Sequence, residues 1–465
     1  MNYRKEAEKL TDAYLADLNK LIEVDSTRDI TTRKEEAPFG TNVRKALDVM
    51  LDIAKRDGFS VKDAEGYAGV IEYGDPANED TLGILGHLDI VPVGDGWTKD
   101  PLKVTVNDGY VFGRGVLDDK GPTMAAYYAL KMIRDAGIPL KKRVMLIAGC
   151  DEESGMECMN YYASHYENPK MGFVPDAEFP VIYGEKGGAH IRLEAPGSKA
   201  IKEMKTGIRI NIVTGKAGAT VNSMDDEQKK FFDFYVKANG LKGSYKENPD
   251  GTYTLHMDGV SSHAAWPEKG INAAVHMLNF IGTAYDDPAA ADVADLIRDY
   301  TGKSAGIQVS GPYMGPLTMN AGLIEAGPES ITVHLDIRYP NETNGQELVE
   351  KLQAKVDEKG TPIKAVLESD SAPLFVDPDS KLVTDLMDVY REHTGDTYSP
   401  AITIGGGTYA RKFKDFVSFG PELPIENRTT DQPVGGCHQP DEGIKLDELI
   451  NAIAIYADAI VRLAS

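Results

Sequence analysis

Residues 143–155 read RVMLIAGCDEESG: the short, largely apolar run Arg143–Ala148 is followed almost at once by Asp151, Glu152 and Glu153. A short run without polar alternation is a strand covered on both faces, the usual state of a parallel sheet. Similar runs stand at Ala68–Tyr73 and Thr81–Leu85. Between and around them lie helical patterns. Leu10, Tyr14, Leu18, Leu21 and Ile22 mark one stripe over residues 3–24, and Val43, Leu47, Met50, Leu51 and Ala54 mark another. A further helix is expected from near Pro122, which suits a first turn, to about Ala136 before Gly137. The last, amphipathic helix should run from Ile444 to Leu463. Strands alternating with helices predict an α/β fold whose mostly parallel sheet is sandwiched by helices.

From about Gly187 to Ala372 the texture changes to alternating strands (Ile208–Val213, Tyr253–Met257, Ile331–Ile337) mixed with helices at Asp225–Ala238, Asn272–Tyr285 and Gly345–Val356. This reads as an inserted α+β domain. The α/β texture resumes with a helix near Ser380–Thr394 and strands at Ala401–Ile404 and Phe416–Phe419. The expected organisation is therefore a first domain in two parts, 1–186 and 373–465, interrupted by residues 187–372.

A chain of 465 residues is long enough for two or three domains. Its apolar (42%) and charged (26%) fractions are those of a globular protein. A net charge of −23 argues against a nucleic-acid partner or an anionic membrane surface. The N-terminus shows no secretory pattern and no 18-residue apolar stretch occurs. Three cysteines, Cys150, Cys158 and Cys437, make no disulfide framework. A cytoplasmic location is expected.

Among nine histidines, His165, His190, His256, His276, His334 and His393 sit in patterns without polar clustering and read as surface or core residues. The others sit in chemically loaded surroundings. His87 and Asp89 close the run Leu85-Gly86-His87-Leu88-Asp89, at a strand's C-terminal end, where open α/β sheets place ligands. Strand alternation sets both on one face, so the carboxylate can accept the imidazole's second N–H. Next, Gly113-Arg114-Gly115-Val116-Leu117-Asp118-Asp119-Lys120-Gly121-Pro122 delivers adjacent carboxylates to a helix start. The ordinary explanation there is an N-cap. For Asp151–Glu153 it is a solvated first turn. Pro175-Asp176-Ala177-Glu178 and Cys437-His438-Gln439-Pro440-Asp441-Glu442 complete the set. Five such sites, each ending an apolar segment of one domain, fit a cleft holding two divalent cations. Imidazole and carboxylate ligands suit Zn(II), with Mn(II) and Co(II) as alternatives.

The motifs GHLDIVP, GRGVLDDKGP, DEESG, PDAE and CHQPDE, in this order and over nearly the whole length, resemble the co-catalytic zinc metallopeptidase superfamily of aminoacylase, carboxypeptidase G and the ArgE/DapE deacylases. Within it the chain is most similar to the PepV-type, carnosinase-like bacterial dipeptidases. The resemblance implies one ion on His87, Asp118 and Asp176 and a second on Asp118, Glu153 and His438, with Asp118 bridging. It implies that Asp89 orients His87, that Glu152 is the general base toward a water bridging the two metals, and that the Asp118–Asp119 peptide is cis.

In the insertion, Gly259–Ala265 (GVSSHAA) resembles the family segment whose histidine, here His263, stabilises the oxyanion. Asn222 and Arg338 match its substrate-binding positions, although Arg338 on an alternating strand equally suits a surface residue. The glycine-rich turn Gly405, Gly406, Gly407, Thr408 has N–H groups suited to an anion, and in this family would receive the substrate's terminal carboxylate. Asp at 119 is shared with the dipeptidase branch, and Asp at 176 accompanies enzymes that accept a free amino group. Hydrolysis of dipeptides, possibly β-Ala-Xaa, with a free N-terminus is therefore expected. The alternatives are an N-acyl amino-acid deacylase or a non-catalytic peptide-binding homologue. The insertion is longer than the lid of dimeric members, which implies a monomer acting on small peptides.

Overall fold

In the computed structural model, every residue of the strands Thr81–His87 and Arg143–Gly149 is buried, as runs apolar on both faces require. The structure describes residues 1–424 and 433–465. The central sheet has the order 60–64, 68–73, 143–149, 81–87, 171–174, 416–418 and 182–185. Its middle is parallel: Arg143–Gly149 pairs with Thr81–His87, that strand with Met171–Val174, and that in turn with Phe416–Ser418. The flanking pairs are antiparallel.

Helices cover this sheet. Lys120–Asp135 and Leu446–Ala464 pack on each other and on the two central strands, while Thr41–Arg56 packs on Ser60–Ala64 and Ala68–Tyr73. The approach is close enough to demand glycine at one point. A Cβ on Gly86 would fall 1.9 Å from Thr123 Oγ1, so the helix touches the strand immediately before His87. Among the described residues, no helix is long and apolar enough to cross a membrane.

The chain divides into two compact units. The first comprises Met1–Gly184, Phe375–Ile402 and Gly407–Ser465; the second comprises Glu185–Leu374 and Thr403–Gly406. The second unit is built on an eight-stranded antiparallel sheet, in which Gly187–Pro196 lies between Ser330–Tyr339 and Lys364–Ser371. Its core includes Leu255, Met277, Leu278, Phe280, Leu335 and Ile337.

Two local expectations are corrected. The stripe over residues 3–24 is carried by two helices, Tyr3–Lys9 and Thr11–Ile22; at their join Leu10 N donates to Ala7 O (2.9 Å), a tightened last turn that ends the first helix. Residues 208–213 are not a strand. Ile208 is 89% exposed, and the carbonyls of Ile210 and Ile212 accept from the Asn320 amide (3.0 Å each) instead of from a neighbouring strand. Alternating apolar residues mimic a strand, but Gly207 at φ +95° turns the chain away from the ladder.

One buried ion pair in the first unit yields a stability prediction. The Asp17 carboxylate, 2% exposed, accepts from both Arg56 Nη atoms (2.8 Å each), Lys20 Nζ (2.9 Å) and Tyr128 OH (2.7 Å). Burial would raise its pKa, but these donors outweigh burial and hold it at about 2. A depressed carboxyl stabilises the fold above its unfolded pKa and loses that contribution as pH falls through the folded value. Asp17→Asn should therefore destabilise by about 1–2 kcal/mol at pH 7, discounted because Arg56 is half exposed, and the deficit should shrink between about pH 4 and pH 2. Urea unfolding at several pH values measures this; a pH-independent deficit would contradict it.

Candidate metal centre

The residues singled out from sequence in the first unit converge at the C-terminal ends of the parallel strands. His87 ends its strand fully buried. Its Nε2 lies 3.0 Å from Asp118 Oδ1 and 3.7 Å from Asp176 Oδ2. His438 Nε2 lies 3.0 Å from Asp118 Oδ2 and 3.2 Å from Glu153 Oε2. Potential ligand atoms of His87, Asp118 and Asp176 all fall within 4.8 Å of one another, as do those of Asp118, Glu153 and His438. Asp118 belongs to both sets, one oxygen toward each histidine.

The turn that delivers Asp118 departs from a routine helix opening. The Asp118–Asp119 peptide is cis, as the family resemblance implied. Asp119 stands at the N-cap of Lys120–Asp135, yet its side chain makes no cap hydrogen bond. Its Oδ2 accepts from His87 N (2.9 Å) and Thr123 Oγ1 (2.7 Å), tying the turn to the end of the His87 strand. Asp151–Glu153 are likewise not the first turn of a helix, which begins only at Glu157. Asp151 does part of a cap's work, accepting from Glu157 N at 2.9 Å, and it faces Arg28 at 3.1 Å.

Asp89 behaves differently from the expectation for its side chain. His87 Nδ1 is 3.0 Å from the Asp89 main-chain oxygen and 3.5 Å from its carboxylate. That carboxylate accepts from Glu152 N (3.0 Å) and Glu153 N (3.1 Å). Residue 89 thus fixes the His87 tautomer mainly through its carbonyl, leaving Nε2 for a ligand, and anchors the DEESG turn through its side chain.

Electrostatics supply a test of fit for cations. Burial, then the charges of Asp119 and Asp118, push the Asp176 carboxyl well above its ordinary range. Burial, with Glu153, Asp118 and Asp89 adding and His87 opposing, does the same to Glu152. Hydrogen bonds that His438 donates to Asp118 and Glu153 raise its pKa to about 10. Among the described residues, the buried Glu153 Oε1 has no hydrogen-bond partner. Carboxylates this crowded, aimed at two imidazoles, form a donor set that two divalent cations satisfy.

The remaining predicted residues lie in the second unit or at its chain crossing. His263 Nδ1 accepts from Ala265 N (3.1 Å), beside the half-exposed Trp266, and its segment is held by Ala264 N donating to Asn211 O (2.9 Å). Arg338 is not a free surface residue: it forms a two-pronged pair with the buried Asp336 (2.7 and 2.9 Å). Asn222 is exposed, and its amide donates to Lys199 O (2.7 Å). Within this unit Gly405 lies against the His263 segment, since a Cβ there would come 3.1 Å from Ala265 Cβ. In the first unit, Gly407 leaves space filled by the Arg411 guanidinium. Thr408 is buried, its hydroxyl meeting Ser418 Oγ (2.9 Å) and capping the single 3₁₀ turn Tyr409–Lys412.

Sequence reasoning passed over Asp336, Arg114 and Glu442. The last two formed part of quoted motifs, and charged residues at buried motif positions were the available signal.

Residues 83–462 match the model of peptidase family M20/M25/M40. The chain is 35% identical over 479 residues to "Putative dipeptidase YtjP" of Bacillus subtilis (strain 168), covering 100% of both chains. It is 34% identical over 478 residues to "Putative dipeptidase SH1171" of Staphylococcus haemolyticus (strain JCSC1435), covering 99% of both. Among solved structures, its fold is similar to that of the di-peptidase Dug1p from Saccharomyces cerevisiae, with TM-score 0.59, 15% identity, and 100% and 98% of the two chains covered. Human carnosine dipeptidase 1 is similar with TM-score 0.57, 15% identity, and 99% and 98% covered.

Proposed function

Because this chain belongs to peptidase family M20/M25/M40, we propose that it is a dinuclear-metal dipeptidase that hydrolyses dipeptides carrying a free N-terminus. The observation that carries this reading is the pair of three-residue ligand sets sharing Asp118, with Glu152 on the adjoining turn. The names of the relatives at about one-third identity support the substrate class. Zn(II) is the proposed metal, with Mn(II) as the alternative. A cytoplasmic monomer is the proposed working form.

Two divalent ions, when bound, supply Lewis acidity toward the scissile carbonyl and a nucleophilic water at neutral pH. Glu152 takes the proton of the attacking water and passes it to the leaving amine. Its main-chain N–H is held by Asp89, so the side chain acts from a fixed base. Asp176 and His87 would hold one ion, Glu153 and His438 the other, and Asp118 would serve both. On the resemblance of their motifs, we assign His263 to stabilising the oxyanion, and Asn222, Arg338 and the 405–408 turn to binding the substrate. The Asp336 pair fixes the plane of the Arg338 guanidinium through Nε and Nη2.

The test is a comparison of substrates after loading with Zn(II) or Mn(II). Ala-Xaa dipeptides should exceed both N-acetyl-Xaa and hexapeptides in kcat/KM by roughly 100-fold or more, because a site that pairs the ammonium leaves polar groups unpaired with an acyl analogue. Preference for N-acetyl substrates would make the protein a deacylase, and robust hexapeptide cleavage would remove the dipeptide assignment.

A further inference from the structure

The Cys437–Glu442 motif ends in a carboxylate that neither ligand set uses. Glu442 has no solvent exposure. Its Oε1 accepts from the main-chain N–H groups of Gly115 (2.9 Å), Leu117 (3.0 Å) and Asp118 (3.3 Å). Its Oε2 accepts from the guanidinium of Arg114, itself 1% exposed. Gly115, at φ +91°, bends the turn so that these N–H groups converge on one oxygen, a concave anion site made of backbone.

The same segments are already joined by main chain. Gly113 N donates to Glu442 O (3.1 Å), and Tyr110–Phe112 pairs with Gly443–Lys445. Gly435 N donates to Asp441 O (2.9 Å) and Gly443 N to Gly435 O (3.1 Å), closing the turn that presents His438. Burying a carboxylate is unfavourable unless it is fully paired, and nothing about joining the strands requires one here. What the carboxylate adds is a fixed position for the Asp118 amide relative to the His438 turn.

We propose that Glu442 is a positioning residue for the dinuclear centre, setting the separation of the shared ligand Asp118 from His438 and thereby the affinity for the second ion. The inference rests on the metal-site reading given under Proposed function. It assigns no contact between Glu442 and substrate or metal.

The experiment titrates chelator-treated, full-length protein with Zn(II), and separately with Mn(II), by calorimetry, with metal content measured after gel filtration and Tm measured with and without metal. The unaltered protein should take two ions. Glu442→Gln keeps the side chain's shape and an acceptor for the N–H groups, but turns an amide NH2 toward the donors of Arg114. Its affinity for the second ion should fall about 10–100-fold, the range for residues that orient ligands. Its metal-free Tm should fall, because the buried Arg114 guanidinium is left facing an amide NH2, and the metal-induced rise should shrink as well. KM for a dipeptide should hold, and kcat should recover at high metal concentration. Two ions bound with unaltered affinity, or an equal loss of Tm with and without metal, would overturn the proposal. Where Glu442→Gln does not fold, Arg114→Lys is titrated instead: weakened second-ion binding supports the proposal and unchanged binding overturns it. Fewer than two ions on the unaltered protein would overturn the metal-site reading itself, an outcome distinct from any failure specific to Glu442.

Discussion

Glu152→Gln is expected to lower kcat by about 10³–10⁴-fold, near the upper range of a general acid–base contribution, with two ions still bound per chain. The side chain belongs to neither candidate ligand set. Burial raises its carboxyl well above the ordinary value, and the charges of Glu153, Asp118 and Asp89 add to that. A carboxyl raised above its ordinary range is a stronger base than a free carboxylate, as a proton shuttle requires. Glutamine keeps the size and leaves the main-chain bond to Asp89, so the loss should appear in kcat with KM little moved. Steady-state kinetics and metal analysis on one preparation decide this. Near-normal turnover would remove Glu152 as the base, and loss of one ion would make it a ligand.

Asp118→Ala is expected to abolish the binding of both ions, whereas Asp176→Ala and Glu153→Ala should each weaken mainly one. The asymmetry follows from Asp118 placing one oxygen toward His87 and the other toward His438, at 3.0 Å in each case. Removing a direct ligand should exceed the roughly 10–100-fold loss typical of residues that only orient ligands. Dialysis against a chelator should reproduce the Asp118→Ala phenotype in the unaltered protein, and added Zn(II) or Mn(II) should restore activity there but not in the variant. Retention of two ions by Asp118→Ala would dismantle the shared-ligand arrangement.

Legibility from sequence differed by element. The runs Thr81–Leu85 and Arg143–Ala148 announced buried strands because side chains apolar on both faces leave few alternatives. The helix at Thr41–Arg56 was equally plain from its apolar period. The segment 208–213 misled because alternation records which side chains are apolar, whereas a strand also needs a partner for each carbonyl. Here Asn320, about 110 residues away in sequence, supplies that partner from a side chain. Arg338 was ambiguous for a related reason: its orientation depends on the buried Asp336 and on Gly188 across the sheet.

By itself the sequence determined the α/β class, the five motifs and the residue types able to hold two cations, because hydrophobic period and ligand chemistry are local properties. Only the tertiary structure decided that one carboxylate, Asp118, faces both histidines. It also decided that Asp89 meets His87 chiefly through its carbonyl, and that Glu442 pins the Asp118 turn from 324 residues away. Those are matters of direction and separation across distant segments, set by how close the helix Lys120–Asp135 comes to the strand at Gly86 and by where buried polar groups find partners.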